Sequence, residues 1–366
     1  MNQIIISLKK AYRYAVKKEL LISIIVGLSL IIGGVYLGYI NNKVVPINPA
    51  VNARYSLEPN NKLSFMSNWD GPDYISIVDH GYTNSSVTNF FPLYPAVTYG
   101  IKTVVRSSVD SALIVSWICL IGAIYFYIKI IKILFKEKDP IEALKGVVFF
   151  ILFPTGIFLL ATYTESLFAL LALAAIYHAL RNKYILAGIF TFLACLTHIS
   201  GVFLVVLIFL LLMEQKVNIK KSLASAIIGG LGLVTYMTYL FIRFNNPLAF
   251  ISAQKNHGWL KHSVGNITST IDWLNLIFII LIIVSAIYWW HKRKSFSIYS
   301  LLYLTIPLAG GQFGGFNRYM LMDFPIQIML YNRFKQTKLA YSICLSISAV
   351  IWAYFLFQYA GGYVGG

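Results

Sequence analysis

Long apolar stretches separated by short polar segments follow one another along nearly the whole chain. A helix needs about 20 apolar residues to cross the hydrocarbon core of a bilayer, and stretches near that length recur from residue 20 onward. The alternating ten-residue segments that are typical of a transmembrane barrel do not occur. The pattern therefore predicts an all-α, polytopic integral membrane protein, with residues 1–366 forming a single membrane domain.

Clusters of lysine and arginine between the apolar stretches predict the topology. Such clusters are enriched in cytoplasmic loops, so we place all of them inside, together with the N-terminal segment 1–20. This placement requires an even number of crossings between neighbouring clusters. It predicts about eleven spans and an outer C-terminus, with the spans at 20–40, 112–134, 146–162, 166–180, 184–197, 200–213, 222–243, 273–290, 298–313, 319–332 and 339–357.

Two regions allow more than one interpretation. Segment 91–106 is apolar but short, contains Pro92 and Pro95, and ends in basic residues. Counting it as a span would put the next basic cluster outside, so we predict an interfacial helix on the outer leaflet. Stretches 184–197 and 200–213 are short for spans and could form one long helix. That helix would break the alternation, so we predict two helices with a break near residues 197–201.

Composition agrees with a membrane protein and argues against nucleic acid as a partner. Hydrophobic residues make up 58% of the chain and the mean hydropathy is +0.71. The formal net charge is +17, but the basic residues lie in short clusters between apolar stretches, as loop anchors do. Cys119, Cys195 and Cys344 lie within apolar stretches and form no CxxC pair, which indicates neither disulfides nor a zinc site.

The first outer loop, predicted at residues 41–110, concentrates acidic side chains. The chain has 13 acids in all, and segment 69–82, WDGPDYISIVDHGY, gathers Asp70, Asp73 and Asp79 beside His80. Ionisable residues near membrane spans are often functional. The order Asp-Gly-Pro-Asp also predicts a helix start with Asp70 as N-cap and Gly81 at the helix end. Asp70 can be a cap, a general base at the membrane surface, or both.

Three further side chains on the predicted outer side are candidates for the same site. The guanidinium fork of Arg318 suits a phosphate group, although an interfacial anchor is the alternative. Glu165 either forms a polar turn or orients a sugar hydroxyl or Arg318. His198, at an apparent helix break, either contacts phosphate or is a core residue.

Aromatic and acidic neighbours extend this set. Trp69 and Tyr74 can stack on a sugar face, although interfacial packing is the common use of such residues. Asp73, Asp79 and His80 could hold a cation, but no convincing further ligand accompanies them. We therefore predict no metal and no other cofactor.

Five ordered segments between residues 65 and 330 resemble the PIG-V mannosyltransferase family of the C-type (GT-C) glycosyltransferase superfamily. The first is WDGPDYISIVDHGY followed by FFPLYP. The others are YTESLF at 163–168, THISG at 197–201, NPLAF at 246–250 with Gln254 and Gly258-Trp259, and NRY at 317–319 with Phe324-Pro325. Two positions depart from the family pattern. His198 replaces the basic residue of the turn, and Asn246 replaces the acid before Pro247.

The resemblance implies a GT-C-like bundle and an outward-facing enzyme. Such an enzyme transfers a mannose-like hexose, with inversion, from a polyprenyl-phosphate-linked donor to a lipid-linked or envelope glycan or protein acceptor. Carried over by position, Asp70 is the general base. We assign the donor phosphate to Arg318, Tyr319 and His198, and substrate contacts to Trp69, Asp73, Tyr74, Asp79, His80, Glu165, Gln254 and Trp259. The last two lie in the predicted second outer loop, 244–272.

Two other functions remain open from the residues alone, namely a lipid or sugar transporter or flippase and an accessory membrane subunit. Transporters tend to show repeats and charges at the midplane of the membrane, and we find no clear repeat. Convergence of Asp70, Glu165 and Arg318 on one outer cavity would favour the enzyme. The short loops and the lack of a lumenal retention signal predict a plasma membrane of bacterial type.

Overall fold

The computed structural model describes residues 2–46, 48, 58, 60–256, 273–310 and 315–363. Regular structure within these residues is entirely helical, and no strand occurs among them. The all-α class predicted from the sequence is confirmed.

Sixteen α-helices are described in these residues. In chain order they are α1 Asn2–Val44, α2 Asp70–His80, α3 Leu93–Val105, α4 Ser108–Phe135, α5 Pro140–Ile151, α6 Glu165–Leu180, α7 Tyr184–Cys195, α8 Gly201–Glu214, α9 Ile219–Phe244, α10 Ala249–Asn256, α11 Trp273–Trp290, α12 Lys294–Leu302, α13 Thr305–Gly310, α14 Phe316–Tyr319, α15 Phe324–Phe334 and α16 Lys338–Ala360. Short 3₁₀ helices occur at Ser64–Met66, Ser85–Val87, Gly156–Leu159 and Met320–Met322.

Five helices of the described chain are long and apolar enough to cross a bilayer. They are α1 from Val16 onward, α4, α9, α11 and α16, with lengths of 18 to 29 residues. Each coincides with a span expected from the sequence. The chain is therefore a polytopic membrane protein, while the count of about eleven spans stays a prediction.

Helices α6, α7 and α8 are shorter, with 16, 12 and 14 residues. At 1.5 Å per residue they measure about 24, 18 and 21 Å, less than the roughly 30 Å of a hydrocarbon core. Two separate helices at 184–195 and 201–214 confirm the predicted break, and the alternative of one long helix is wrong. A Cβ on Gly201 would lie 2.6 Å from the Cα of Cys195, so the reversal depends on a close backbone approach.

Three predicted spans are helical only in part. Helix α5 ends at Ile151, before Pro154, and the chain continues through turns and a 3₁₀ helix. A residue before proline disfavours the helical conformation, which explains this early end. Stretch 298–313 is divided between α12 and α13, and stretch 319–332 between a 3₁₀ turn and α15. Hydropathy predicted these boundaries poorly because apolar side chains also line the irregular segments.

Helix α6 lies at the centre of the packing. Thirteen of its sixteen residues are buried, and it contacts α4, α7 and α8. A helix that is hydrophobic on all sides is stable only when neighbouring helices or lipid surround it. Its first residue, Glu165, is consequently fixed by a rigid element rather than by a loop.

A buried ion cluster joins α1 to α4. The Glu19 carboxylate, 4% exposed, lies 2.9 Å from the Lys129 ammonium and 2.5 Å from the Lys132 ammonium. These basic residues belong to the clusters that predict the cytoplasmic side. The cluster ties the two helices together at positions far in sequence from the acidic segment 69–82.

Candidate functional site

Three charged side chains from distant parts of the chain meet at one place. Arg318 Nη1 lies 2.5 Å from Asp70 Oδ2, and Arg318 Nε lies 3.1 Å from Glu165 Oε1. We call these residues the charged triad. The sequence indicated each one as a candidate, with orientation of Arg318 as one alternative for Glu165, and the structure brings all three together.

Asp70 is the first residue of α2 rather than its N-cap. The capping position belongs to Trp69, which makes no side-chain capping hydrogen bond. The prediction of Asp70 as a cap is therefore wrong, because its carboxylate pairs with Arg318 while its backbone N–H donates to Tyr163 Oη at 3.1 Å. Gly81 ends the helix as predicted, with a φ of +70°.

Trp69 has a backbone conformation that an L-residue rarely adopts. Its φ is +57° and its ψ is −106°. Such a conformation costs on the order of 1–3 kcal/mol and persists only where the surrounding structure enforces it. The bend directs the following carboxylate toward Arg318, which places local strain at the candidate site.

Gly71 allows the acidic segment to pack closely on the segment before α6. A Cβ at this position would lie 2.5 Å from Thr162 Oγ1 and 2.8 Å from Ser67 Oγ. The Thr162 N–H donates to the carbonyl of Met66 at 3.0 Å. These contacts fix the chain around Asp70 against the chain that leads into Glu165.

Glu165 is the most buried member of the triad, with a side chain that is 2% exposed. It begins α6, just ahead of the apolar stretch 166–180. Burial raises the pKa of the Glu165 carboxyl to about 7, against the opposing effect of Arg318. A group at this value exchanges its proton near neutral pH.

Aromatic rings surround the Arg318 guanidinium. Its carbon lies 5.2 Å from the Tyr163 ring centroid, 5.7 Å from that of Tyr319 and 6.0 Å from that of Phe158. Cations are attracted to such ring faces. Gly315, with a φ of +74°, precedes the short helix that carries Arg318.

Buried polar contacts hold the next residues in place. Ser300 donates to the Asp323 carboxylate at 2.8 Å, and Gln327 Nε2 donates to the carbonyl of Leu321 at 2.8 Å. Arg318 is therefore carried on an anchored segment, and its side chain is 15% exposed.

His198 lies beside the triad, with its ring 5.1 Å from that of Tyr319. The Ser200 N–H donates to His198 Nδ1 at 3.1 Å, so a neutral imidazole carries its proton on Nε2. Burial and the nearby Arg318 lower the pKa of His198 to about 3. The predicted contact of His198 with phosphate would thus be a hydrogen bond from Nε2 rather than a charge.

Tyr74 belongs to the core. It is 5% exposed, and its ring meets those of Phe90 at 4.9 Å and Tyr94 at 5.3 Å edge-on. The predicted stacking of Tyr74 on a sugar does not fit this conformation, because neighbouring rings cover it. Trp69 is half-buried beside Asp70, and its substrate role stays a prediction.

The other polar residues of α2 do not join the triad as a group. Asp79 pairs with Lys102 at 2.6 Å and also accepts from Ser108, which clamps α2 to α3 and α4. Nine residues along a helix correspond to about 13.5 Å, so Asp79 and the exposed His80 lie at the far end from Asp70. Asp73 is one turn from Asp70 and half-buried.

No three His, Cys, Asp or Glu side chains of the described chain lie together in a way that could hold a metal ion.

Gln254 lies on α10, which packs on the 3₁₀ helix Ser85–Val87. Trp259, with His257 and Lys261 of the same predicted loop, lies outside the described residues. Helix α3 confirms that segment 91–106 is helical, while its position at the membrane surface stays a prediction.

Two residues near the site were missed in the sequence. The Asn68 N–H donates to Tyr359 Oη at 3.0 Å, and its side chain donates to the Tyr359 carbonyl at 2.6 Å. This pair joins the segment before Trp69 to the last helix across 291 positions. No local pattern signals a pairing at that separation.

Comparisons with known proteins support a sugar-transfer family. Residues 41–289 match the family model described as Mannosyltransferase (PIG-V). A 146-residue region is 31% identical to GPI mannosyltransferase 2 of Yarrowia lipolytica (strain CLIB 122 / E 150). The aligned region spans 40% of each of the two proteins. Asp70 and Glu165 lie within the matched family range, and Arg318 lies beyond it.

Proposed function

The chain belongs to the PIG-V mannosyltransferase family, and we propose that it transfers a mannose-like hexose from a polyprenyl-phosphate-linked donor to an acceptor hydroxyl. The observation that carries the proposal is the meeting of Asp70, Glu165 and Arg318. One cation for an anionic donor and one carboxylate for an acceptor lie side by side, with side chains that are 15% and 14% exposed.

Asp70 is the proposed general base. An acceptor hydroxyl is a poor nucleophile at neutral pH and needs a carboxylate within hydrogen-bond reach to take its proton. As the acceptor oxygen bonds to the anomeric carbon, the bond from that carbon to the phosphate oxygen breaks on the opposite face. The electron pair leaves with the polyprenyl phosphate, the proton goes to Asp70, and the anomeric centre inverts.

Arg318 is the proposed partner of the donor phosphate. Its guanidinium is 15% exposed, and charge-assisted bonds from arginine to phosphate are strong and directional. Aromatic rings around it exclude water, which strengthens electrostatic stabilisation of the leaving phosphate. Tyr319, whose ring lies 5.7 Å from the guanidinium carbon, and the Nε2–H of His198 are the proposed further donors to the phosphate.

Convergence of the triad favours the transferase over a transporter or flippase. A transport path would distribute ionisable residues through the membrane midplane, whereas these three meet at the N-terminal ends of α2 and α6. We propose that this site faces the extracytoplasmic side of a plasma membrane. The N-terminus would then be cytoplasmic.

The test is transfer from labelled polyprenyl-phosphate hexoses to lipid-linked and envelope acceptors by the purified protein in nanodiscs. We expect transfer from the mannose donor, with the inverted anomeric configuration in the product by NMR. Asp79→Asn is the matched control, because Asp79 lies on the same helix but pairs with Lys102 at the end far from Asp70, which argues against the substrate contact predicted for it. Transfer from nucleotide sugars alone, or retention of configuration, would contradict the proposal.

A further inference from the structure

The charged triad has one more negative than positive group when all members are ionised. Asp70 and Glu165 contribute two carboxylates, and Arg318 contributes one guanidinium. The side chains are 14%, 2% and 15% exposed, respectively. Solvent therefore compensates little of the surplus negative charge, and least of all at Glu165.

The two carboxylates occupy different nitrogens of Arg318. Asp70 meets Nη1, while Glu165 meets Nε. The Nε atom that faces Glu165 is fully buried, so an anionic ligand entering from solvent would meet the terminal nitrogens first. Glu165, behind it, can keep its contact with Nε while the ligand occupies the terminal nitrogens.

Few groups near Glu165 can balance further negative charge. The titratable and polar groups that face it come from four parts of the chain. They are Asp70 and Tyr74 of α2, Tyr94 of α3, Tyr163 and Thr164 of the segment before α6, and Arg318 and Tyr319 of α14. Arg318 is the one positive group of this set, and the nearby His198 is neutral. A bound phosphodiester, which carries one negative charge, would change the net charge of the site from −1 to −2.

Burial disfavours charged forms, so a second uncompensated negative charge favours uptake of a proton. The proposed base Asp70 must stay ionised to accept a proton from the acceptor. Glu165, the more buried carboxylate, has a pKa raised to about 7 and gains a proton most readily.

We propose that Glu165 is a proton-linked positioning residue, which holds Nε of Arg318 and takes up one proton from water when a polyprenyl phosphodiester binds the same guanidinium. The inference rests on the proposed function, since it takes the donor to be an anionic polyprenyl phosphodiester. Donor affinity then depends on pH through Glu165, a residue that does not take part in bond breaking.

The test measures binding without turnover. The probe is a polyprenyl methyl phosphate, a diester whose single charge does not titrate near neutral pH, presented to the protein in nanodiscs. For wild type we expect the affinity to fall about tenfold per pH unit above pH 7 and to level off below it, as linkage to one proton requires. Calorimetry in buffers of different ionisation enthalpy should show uptake of close to one proton per diester at pH 8.

Two variants separate proton linkage from a structural role. Glu165→Gln should bind the diester with a flat pH profile, take up no proton, and bind more tightly than wild type at pH 8.5. Glu19→Gln is the matched control, since Glu19 is also buried and paired with two cations, and it should keep the wild-type profile. A merely structural role of Glu165 would weaken binding equally at every pH.

A wild-type affinity that does not change between pH 6 and 8.5 would overturn the inference, as would proton uptake that persists in Glu165→Gln. The calorimetric measurement on wild type decides the matter even if the variant fails to fold. Transfer activity is measured separately. Proton-linked diester binding without transfer would refute the proposed function alone, and transfer without proton uptake would refute the inference alone.

Discussion

Replacing Asp70 with asparagine separates catalysis from architecture at this site. Asparagine has nearly the same shape, keeps an oxygen that can accept from Arg318, and leaves the backbone N–H bond to Tyr163 intact. It cannot accept a proton from an acceptor hydroxyl. We therefore expect Asp70→Asn to insert and fold while transfer is nearly abolished.

The expected effects of Asp70→Asn on the transfer rate and on the stability of the fold differ enough to be told apart. Loss of a general base costs about a hundredfold to ten-thousandfold in rate, which corresponds to roughly 2.7–5.5 kcal/mol of barrier. Loss of one charge-assisted hydrogen bond costs about 1.5–3 kcal/mol of stability. The stability cost should fall at the lower end, because Arg318 keeps Glu165 and Asp70 is 14% exposed.

The assay is transfer rate against donor concentration, alongside thermal unfolding, for wild type, Asp70→Asn and Asp79→Asn. We expect kcat to fall in Asp70→Asn with little change in the KM for donor. Asp79→Asn should lose stability, because it frees Lys102, but it should keep kcat. Full activity of folded Asp70→Asn would refute the role of Asp70 as base. A loss confined to the KM for donor would mean that Asp70 acts only by holding Arg318.

Three other changes test separate parts of the structure. A cysteine-accessibility scan should label residues 41–110 from outside and Lys292 from inside, and the reverse labelling would refute the proposed orientation. Arg318→Lys should raise the KM for donor about 10- to 100-fold, because one ammonium cannot contact two carboxylates and a phosphate as the fork does; an unchanged KM would reduce Arg318 to an anchor. Gly71→Ala should lower stability by about 1–3 kcal/mol through overpacking, whereas Gly100→Ala, with no atom within 4 Å of the added Cβ, should be neutral or slightly stabilising by thermal unfolding.

Much of the fold could be predicted from hydropathy, and much of the site from rare residue types. Three features are unusual in so apolar a chain: acids gathered in the first outer loop, an acid just ahead of the apolar stretch 166–180, and an arginine on the predicted outer side. Their sequence positions identified Asp70, Glu165 and Arg318 as candidates. Contact between Glu165 and Arg318 was one of the alternatives for Glu165, but the pairing of Asp70 with Arg318 was not predictable, because these two residues are 248 positions apart and nothing local links them.

Local rules failed where tertiary contacts dominate. The Asp-Gly-Pro-Asp segment predicts a capped helix start, and the helix does begin there. The carboxylate nevertheless turns to Arg318, because an ion pair between partly buried groups outweighs a capping bond of about 1 kcal/mol. Similarly, Tyr74 is an aromatic residue of the kind that stacks on sugars, but the rings of Phe90 and Tyr94 enclose it. Only the three-dimensional structure can show this enclosure.

The short helices α6, α7 and α8 have a consequence for the lipid around the protein. Where helices of 18 to 24 Å cross a bilayer, the leaflets must thin locally or the polar turns at the helix ends must lie below headgroup level. Because Arg318 contacts Glu165 at the start of α6, local thinning would bring the phosphate of a lipid-borne sugar closer to Arg318 while its prenyl chain stays among the acyl chains. The donor would then enter sideways from the leaflet, and turnover would be sensitive to acyl-chain length, so that bilayer thickness itself becomes a determinant of the reaction.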